Sequence, residues 1–156
     1  MMFYSIIKQK DEIMKRLLYV SLIVPMFGVA GLNVDKVSNT LAHIESVKRD
    51  KVLKFFNSNK NIHLKKRLNI TTSKENADII LFPKNKSKKI VIVDSYKALR
   101  VHKNSIGAIY LKKGRTQIIF IDERLKKNGL KLPNSYNKHL LSECQLNPIC
   151  LLSDLK

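Results

Sequence analysis

Cysteine and acidic residues are both scarce in this chain. Its 156 residues hold two cysteines and 12 Asp plus Glu, against 30 Lys plus Arg. Two cysteines exclude a multi-disulfide miniprotein and a Cys-rich zinc fold. The four histidines, His43, His63, His102 and His139, stand singly, with no H-x-x-x-H or H-E-x-x-H spacing, so no metal site is expected. The sequence also lacks a G-x-S-x-G elbow, a P-loop and a dinucleotide-binding fingerprint, so it proposes no catalytic residue and no cofactor. Asp94 and Asp122 fit helix starts better than an acid/base pair. Cys144 as a nucleophile would need a histidine beside it, and His139 lies five positions earlier.

What the chain does have is positive charge, a net +18. Such a chain can neutralise phosphates and bind nucleic acid by releasing counterions. Only six of the cations are Arg, however, and bidentate phosphate and base recognition leans on guanidinium. Abundant Lys, Ile and Asn match the drift of an AT-rich genome. No nucleic-acid partner is therefore expected, and a basic cytosolic nucleic-acid binder is kept as an alternative. With 44% hydrophobic residues the chain can bury a core.

The N-terminal region has the pattern of an export signal. Lys15 and Arg16 precede an uncharged run of 18 residues, Leu17 to Val34, with Gly28, Ala30 and Gly31 near its end. This is the charged, apolar and small-residue order of a secretory signal peptide, with cleavage after Ala30 or Gly31 and a start at Met1 or Met14. Two alternatives stand beside it. An uncleaved anchor would need to span a hydrocarbon layer about 30 Å thick. A buried cytosolic helix would have to carry Pro25 in its middle. The organisation expected is residues 1–31 as signal peptide or extension and 32–156 as one domain, exported to the periplasm or anchored facing it. Residues 1–31 hold four cations and two acids, so the exported part keeps +16. In an oxidising compartment Cys144 and Cys150 are expected to form a disulfide, stabilising by roughly 2–3 kcal/mol if the geometry allows.

The fold class expected is α/β, a mixed sheet of about four or five strands flanked by helices. Val37, Leu41, Ile44, Val47, Val52, Phe55 and Phe56 recur at intervals near three and four, which predicts one helix over 35–57. A basic loop over 58–67 and a weak strand over 68–72 follow. Ala77–Phe82, ended by Pro83, and Lys89–Val93 read as central strands covered on both faces, joined by the cationic loop 84–88 as hairpin or crossover. Asp94 or Ser95 caps a short helix packed through Tyr96, Leu99 and Val101 and closed by a left-handed Asn104. A hairpin over 105–122 turns at Lys112–Arg115, where Gly114 supplies the positive φ. Asp122 caps a helix over 123–128 that ends at Gly129, with Leu125 and Leu130 in apolar contact. A last helix carries Tyr136, Leu140 and Leu141.

The Asn104–Arg115 stretch, Ile119-Phe120-Ile121, Arg124-Leu125 and Gly129-Leu130-Lys131-Leu132 together resemble the C-terminal half of the YfiR-like family of small periplasmic proteins. The likeness covers roughly residues 77–141, with Ala77–Leu81 at the expected strand, and leaves 35–72 unmatched. It implies an exported, non-catalytic α/β module whose partner is an inner-membrane signalling protein such as a diguanylate cyclase. The stretch from Ala77 to Leu132 also resembles part of one lobe of a periplasmic solute-binding protein, which implies a small anion as ligand.

Two places are candidates for binding. Ser95 and Tyr96 begin a helix whose free N–H groups can meet a small anion, and a plain helix cap is the competing reading. Lys112, Lys113 and Arg115 form a basic hairpin tip suited to an acidic protein or lipid headgroup, against the alternative of a solvated turn.

Overall fold

A computed structural model describes residues 31–47 and 52–147. Residues 1–30 of the proposed leader and Cys150 lie outside the described residues. Asn33 begins the first element, α1 (Val34–Ala42), by accepting the Lys36 N–H on its side-chain oxygen at 2.9 Å. The helix fully buries Val37 and Leu41, a burial worth about 1.5–3 kcal/mol per side chain. It ends at His43, whose N–H turns back to the Thr40 carbonyl while that of Ile44 donates to the Leu41 carbonyl.

The single helix expected over 35–57 is thus corrected. After α1 the chain forms β1 (Glu45–Ser46) and then β2 (Phe55–Asn57). A helix through this region would have laid Val47 and Val52 on its buried face, yet they are 61% and 71% exposed. Long-range backbone pairing has overridden the helical spacing: β1 joins β7 (Leu130–Lys131) in a two-stranded antiparallel sheet, and β2 enters the main sheet.

The main sheet has six strands rather than the expected four or five. Its order is β2, β3 (Ile79–Leu81), β4 (Ile90–Val93), β5 (Ser105–Lys112), β6 (Arg115–Ile121) and β8 (Leu140–Leu141). Strands β2 to β5 are parallel, β6 is antiparallel to β5, and β8 is parallel to β6. Central strands β3 and β4 are buried on both faces, as their continuous apolar runs predict. The weak strand over 68–72 is reduced to one parallel bridge, Ile70 against Phe55.

The connection between β3 and β4 is a crossover of only eight residues, 82–89. Parallel neighbours usually need about a dozen. A sharp reversal makes the short path possible: Phe82 takes φ 52 and Pro83 follows it. Phe82 is held there by burial and by its N–H to the Ile92 carbonyl at 2.8 Å. Asn104 fastens the returning loop through its side-chain amide, which donates to the Ser87 carbonyl and, at 2.9 Å, to that of Lys89. It is therefore a clamp and not the left-handed helix end expected of it; the positive φ values at non-glycine positions among the described residues are those of Phe82 and Lys113.

The sheet separates two apolar layers. On one side, Ile79, Leu81, Ile92, Ile118 and Phe120 pack with α1 and with Leu125, Leu130 and Leu132. On the other, Ile80, Val91, Val93, Ala108 and Ile121 pack with Leu99 of α2 (Tyr96–Val101) and Leu146 of α4 (Glu143–Leu146). Strict alternation would put Ile106 with Ala108, but a register shift between Val91 and Ile92 sends Ile106 to the first layer. Val101, expected to pack, is 65% exposed.

From β6 the chain enters α3 (Asp122–Lys127), closed as expected by Gly129 at φ 67, with Leu125 and Leu130 buried in the first layer. Asp122 does not cap it. The N-cap position is Ile121, and the Asp122 carboxylate accepts from Lys126 one turn on at 2.6 Å. The final helix is also corrected. Tyr136 lies in a 3-10 turn (Asn134–His139), while Leu140 and Leu141 form β8 against Phe120 and Ile121. The edge of β6 has captured those two leucines, and only after them does Ser142 start α4 with a capping box to Gln145. The described residues from Gly31 onward belong to one compact unit.

Candidate functional site

Ser95 is an N-cap: its hydroxyl accepts the Ala98 N–H at 3.2 Å. Tyr96 packs on the second apolar layer, and its hydroxyl donates to the Gln145 carbonyl at 3.5 Å. Both side chains are engaged within the fold, and the helix they begin has six residues. Among the described residues no hydrogen bond or ion pair joins them to Lys112, Lys113 or Arg115.

Those three cations occupy the end of a β-arm. The neighbour β4 stops pairing with β5 at Ala108, and β8 meets β6 only at Phe120 and Ile121. From Ile109 to Lys112, β5 has β6 as its one paired strand among the described residues. The arm turns in two residues, Lys113 at φ 50 and Gly114 at φ 72, the left-handed pair that matches the twist of a hairpin. Lys112 and Arg115 are direct cross-strand partners, so like charges face one another, with Lys113 between them. Such pairs destabilise a hairpin. Among the described residues none of the three has an ion-pair partner, and Leu111 beside them is 42% exposed.

The strongest polar constellation escaped the sequence reading. The Arg124 side chain, 7% exposed, forms a two-pronged pair with Glu143, Nε to Oε2 and Nη2 to Oε1, both at 2.7 Å. Its Nη1 donates to the carbonyls of Leu99, His102 and Ser105 at 3.0, 3.0 and 2.8 Å. One guanidinium thus joins α3, the end of α2, the start of β5 and α4. The bond from Arg124 holds the Glu143 carboxyl below its usual range, against the opposing effect of burial. A signal was present: Ile121, Arg124 and Leu125 fall at i, i+3 and i+4, so Arg124 shares the inner face of a short helix. All three nitrogens of this fork donate within the fold, which makes it a brace.

Lys89 is a second brace, its ammonium donating to the carbonyls of Lys74 at 3.0 Å, Glu75 and Ala77 at 2.9 Å. A third group lies along the outer edge of β6. There the Thr116 carbonyl accepts from Lys36 Nζ at 3.4 Å, and the Ile118 carbonyl from Nδ1 of the buried His139 at 3.0 Å. Lys36, Gln117, Lys138 and His139 line a cleft of about 360 Å³ at this edge. Burial first of all, and then the nearby Lys36 and Lys138 ammonium groups, hold His139 below its ordinary pKa.

Cys144 lies half-buried in α4, and its expected partner Cys150 is outside the described residues. Among the described residues no three His, Cys, Asp or Glu side chains converge as a metal site, and no helix is long and apolar enough to cross a membrane. Compared with family models, curated proteins and solved structures, the chain matches none.

Proposed function

We propose that this chain is an exported, non-catalytic binding module that engages an acidic surface of an inner-membrane signalling protein through its β5–β6 arm. The supporting observation is the uncompensated charge at the tip. Lys112 and Arg115 face each other across the arm, Lys113 stands between them, and no carboxylate among the described residues relieves the repulsion. An acidic partner would relieve it, while the left-handed pair at the turn sets the backbone that carries the three cations. The exposed Leu111 adds an apolar contact next to the charges. The resemblance to YfiR-like proteins supplies the class of partner, the leader over 1–31 supplies the route to it, and a Cys144–Cys150 disulfide would belong to the oxidising side of the membrane.

The test uses the full chain expressed from its own start. Periplasmic release, a mature N-terminus after Ala30 or Gly31 and thiols closed to alkylation are the expected results. Binding to inner-membrane vesicles should then fall with salt. It should weaken about tenfold in the K112E/K113E/R115E variant, as three exposed charge contacts of about 0.5 kcal/mol each imply. An intact cytosolic N-terminus, reduced cysteines, or undiminished vesicle binding by the variant would overturn the reading. Tighter binding to duplex nucleic acid than to vesicles would replace it with the cytosolic alternative.

A further inference from the structure

The cleft at the outer edge of β6 has a chemistry of its own, independent of the arm. His139 is 8% exposed, and its Nδ1 lies 3.0 Å from a carbonyl oxygen that has no proton to give. Nδ1 must therefore carry the hydrogen, which leaves Nε2 of the neutral ring with a lone pair. Nε2 makes no hydrogen bond among the described residues, and no buried side-chain nitrogen is left without a partner. It therefore reaches the solvent of the cleft that His139 lines. Around that acceptor stand two cations from different elements, Lys36 of α1 and Lys138 of the 3-10 turn, with the Gln117 amide at the rim. Lys36 spends one proton on the Thr116 carbonyl at 3.4 Å and keeps its others. No carboxylate lines the cleft.

One acceptor and two ammonium groups in a single cleft are an unusual combination. Two positive charges call for an anion of charge near minus two, and a neutral imidazole nitrogen calls for a ligand that still bears a proton. A carboxylate lacks the charge and the proton, and sulfate lacks the proton. We infer that the cleft formed by Lys36, Lys138 and His139 binds a protonated phosphate dianion, whose P–O–H donates to His139 Nε2 while its other oxygens accept from the two lysines. Free hydrogen phosphate offers that group as the dianion, and a phosphomonoester lipid headgroup offers the same P–O–H donor in its monoanionic form. The burial and cationic neighbours that keep His139 neutral above mildly acidic pH preserve the acceptor this ligand needs. Facing the ring are Lys36 from α1, Lys138 from its own turn and the Tyr136 ring, whose hydroxyl is engaged with His43 at 3.0 Å.

The experiment follows the His139 ring nitrogens by NMR in the full chain at pH 7.5 while inorganic phosphate is added. A saturable shift of Nε2 with half-saturation at about 1 mM is expected, with Nδ1 keeping its proton. Sulfate at equal ionic strength should bind at least about tenfold more weakly, because it would cover His139 Nε2 without a proton to give it. The K36M/K138M variant changes two exposed side chains and should lose the shift while keeping its folded spectrum. In a second arm, vesicles containing phosphatidic acid replace phosphate: the same Nε2 shift there assigns the site to a headgroup, and a shift with phosphate alone assigns it to the free ion. Absence of a shift in both arms, equal response to sulfate, or an unchanged response in K36M/K138M would overturn the inference.

Discussion

The stretch from β5 to β7 and the stretch from α1 to β2 are of similar length and similarly apolar, yet their sequences speak with different clarity. In the first, most local signals agree with the tertiary result: the paired strands, the two-residue turn at Gly114, and the Leu125–Gly129–Leu130 helix ending, with the cap expected of Asp122 and the alternation at Ile106 as exceptions. In the second, the apolar spacing fits a helix and the tertiary structure does not. The difference is the range of the deciding interaction. Hairpin and helix-end geometry is settled within a few residues, whereas β1 is fixed by Leu130 and Lys131 more than 80 positions away, and β2 by β3.

The largest effect is expected where long-range order depends on one side chain. R124M should cost about 3–5 kcal/mol in urea denaturation, because it leaves Glu143 and three backbone carbonyls without their shared donor. E143Q should cost less, since that carboxyl is 40% exposed and can turn to water. Equal, small losses in both variants would show that the fork does not brace α2, β5 and α4.

Next come the glycines of the legible region. A Cβ on Gly107 would lie 2.5 Å from the Ile119 carbonyl oxygen and 2.6 Å from the Phe120 ring, so G107A should destabilise by about 1–3 kcal/mol. G114A meets only the cost of a left-handed backbone and should lose about 1–2 kcal/mol. The order of the two variants is the test: a close approach inside the sheet should outweigh a conformational cost at its exposed tip.

The β6 edge contributes a pH dependence. His139 has a folded-state pKa below its ordinary value, so the unfolded chain binds protons first as the solution is acidified. Its contribution to stability is therefore complete above about pH 6.5 and is lost as pH falls through the folded-state value. Glu143, also lowered, adds a second loss below its ordinary range near pH 4.5. Urea midpoints from pH 8 to 5 should decline in the native chain and flatten in H139Q; parallel curves would show that the ring is not buried neutral.

The same range argument explains what the sequence displayed of the candidate site. The arm tip was legible because Lys112, Lys113 and Arg115 flank a turn glycine, and the cap role of Ser95 followed from its place before a short apolar helix. The β6 cleft was not legible, since Lys36, Gln117 and His139 meet only when β6 gathers α1 and the 3-10 turn at its outer edge. Arg124 stood among thirty cations with no mark beyond its helical phase.

The smallest expected effect separates the two readings of the α1 to β2 stretch most directly. On a continuous helix over 35–57, Val47 and Val52 continue the stripe of Val37, Leu41 and Ile44, and truncating either should resemble truncating Leu41, a loss of about 2–5 kcal/mol. In the structure Leu41 is fully buried while Val47 and Val52 are 61% and 71% exposed, so V47A and V52A should each stay within about 0.5 kcal/mol of the native chain. L41A measured beside them supplies the scale. If V47A or V52A instead approached L41A, burial would continue past His43, and the pairing of Glu45 and Ser46 with β7 would have to yield to the helix their spacing predicts. The comparison thus turns on two exposed valines, because local periodicity and long-range pairing make opposite demands on them.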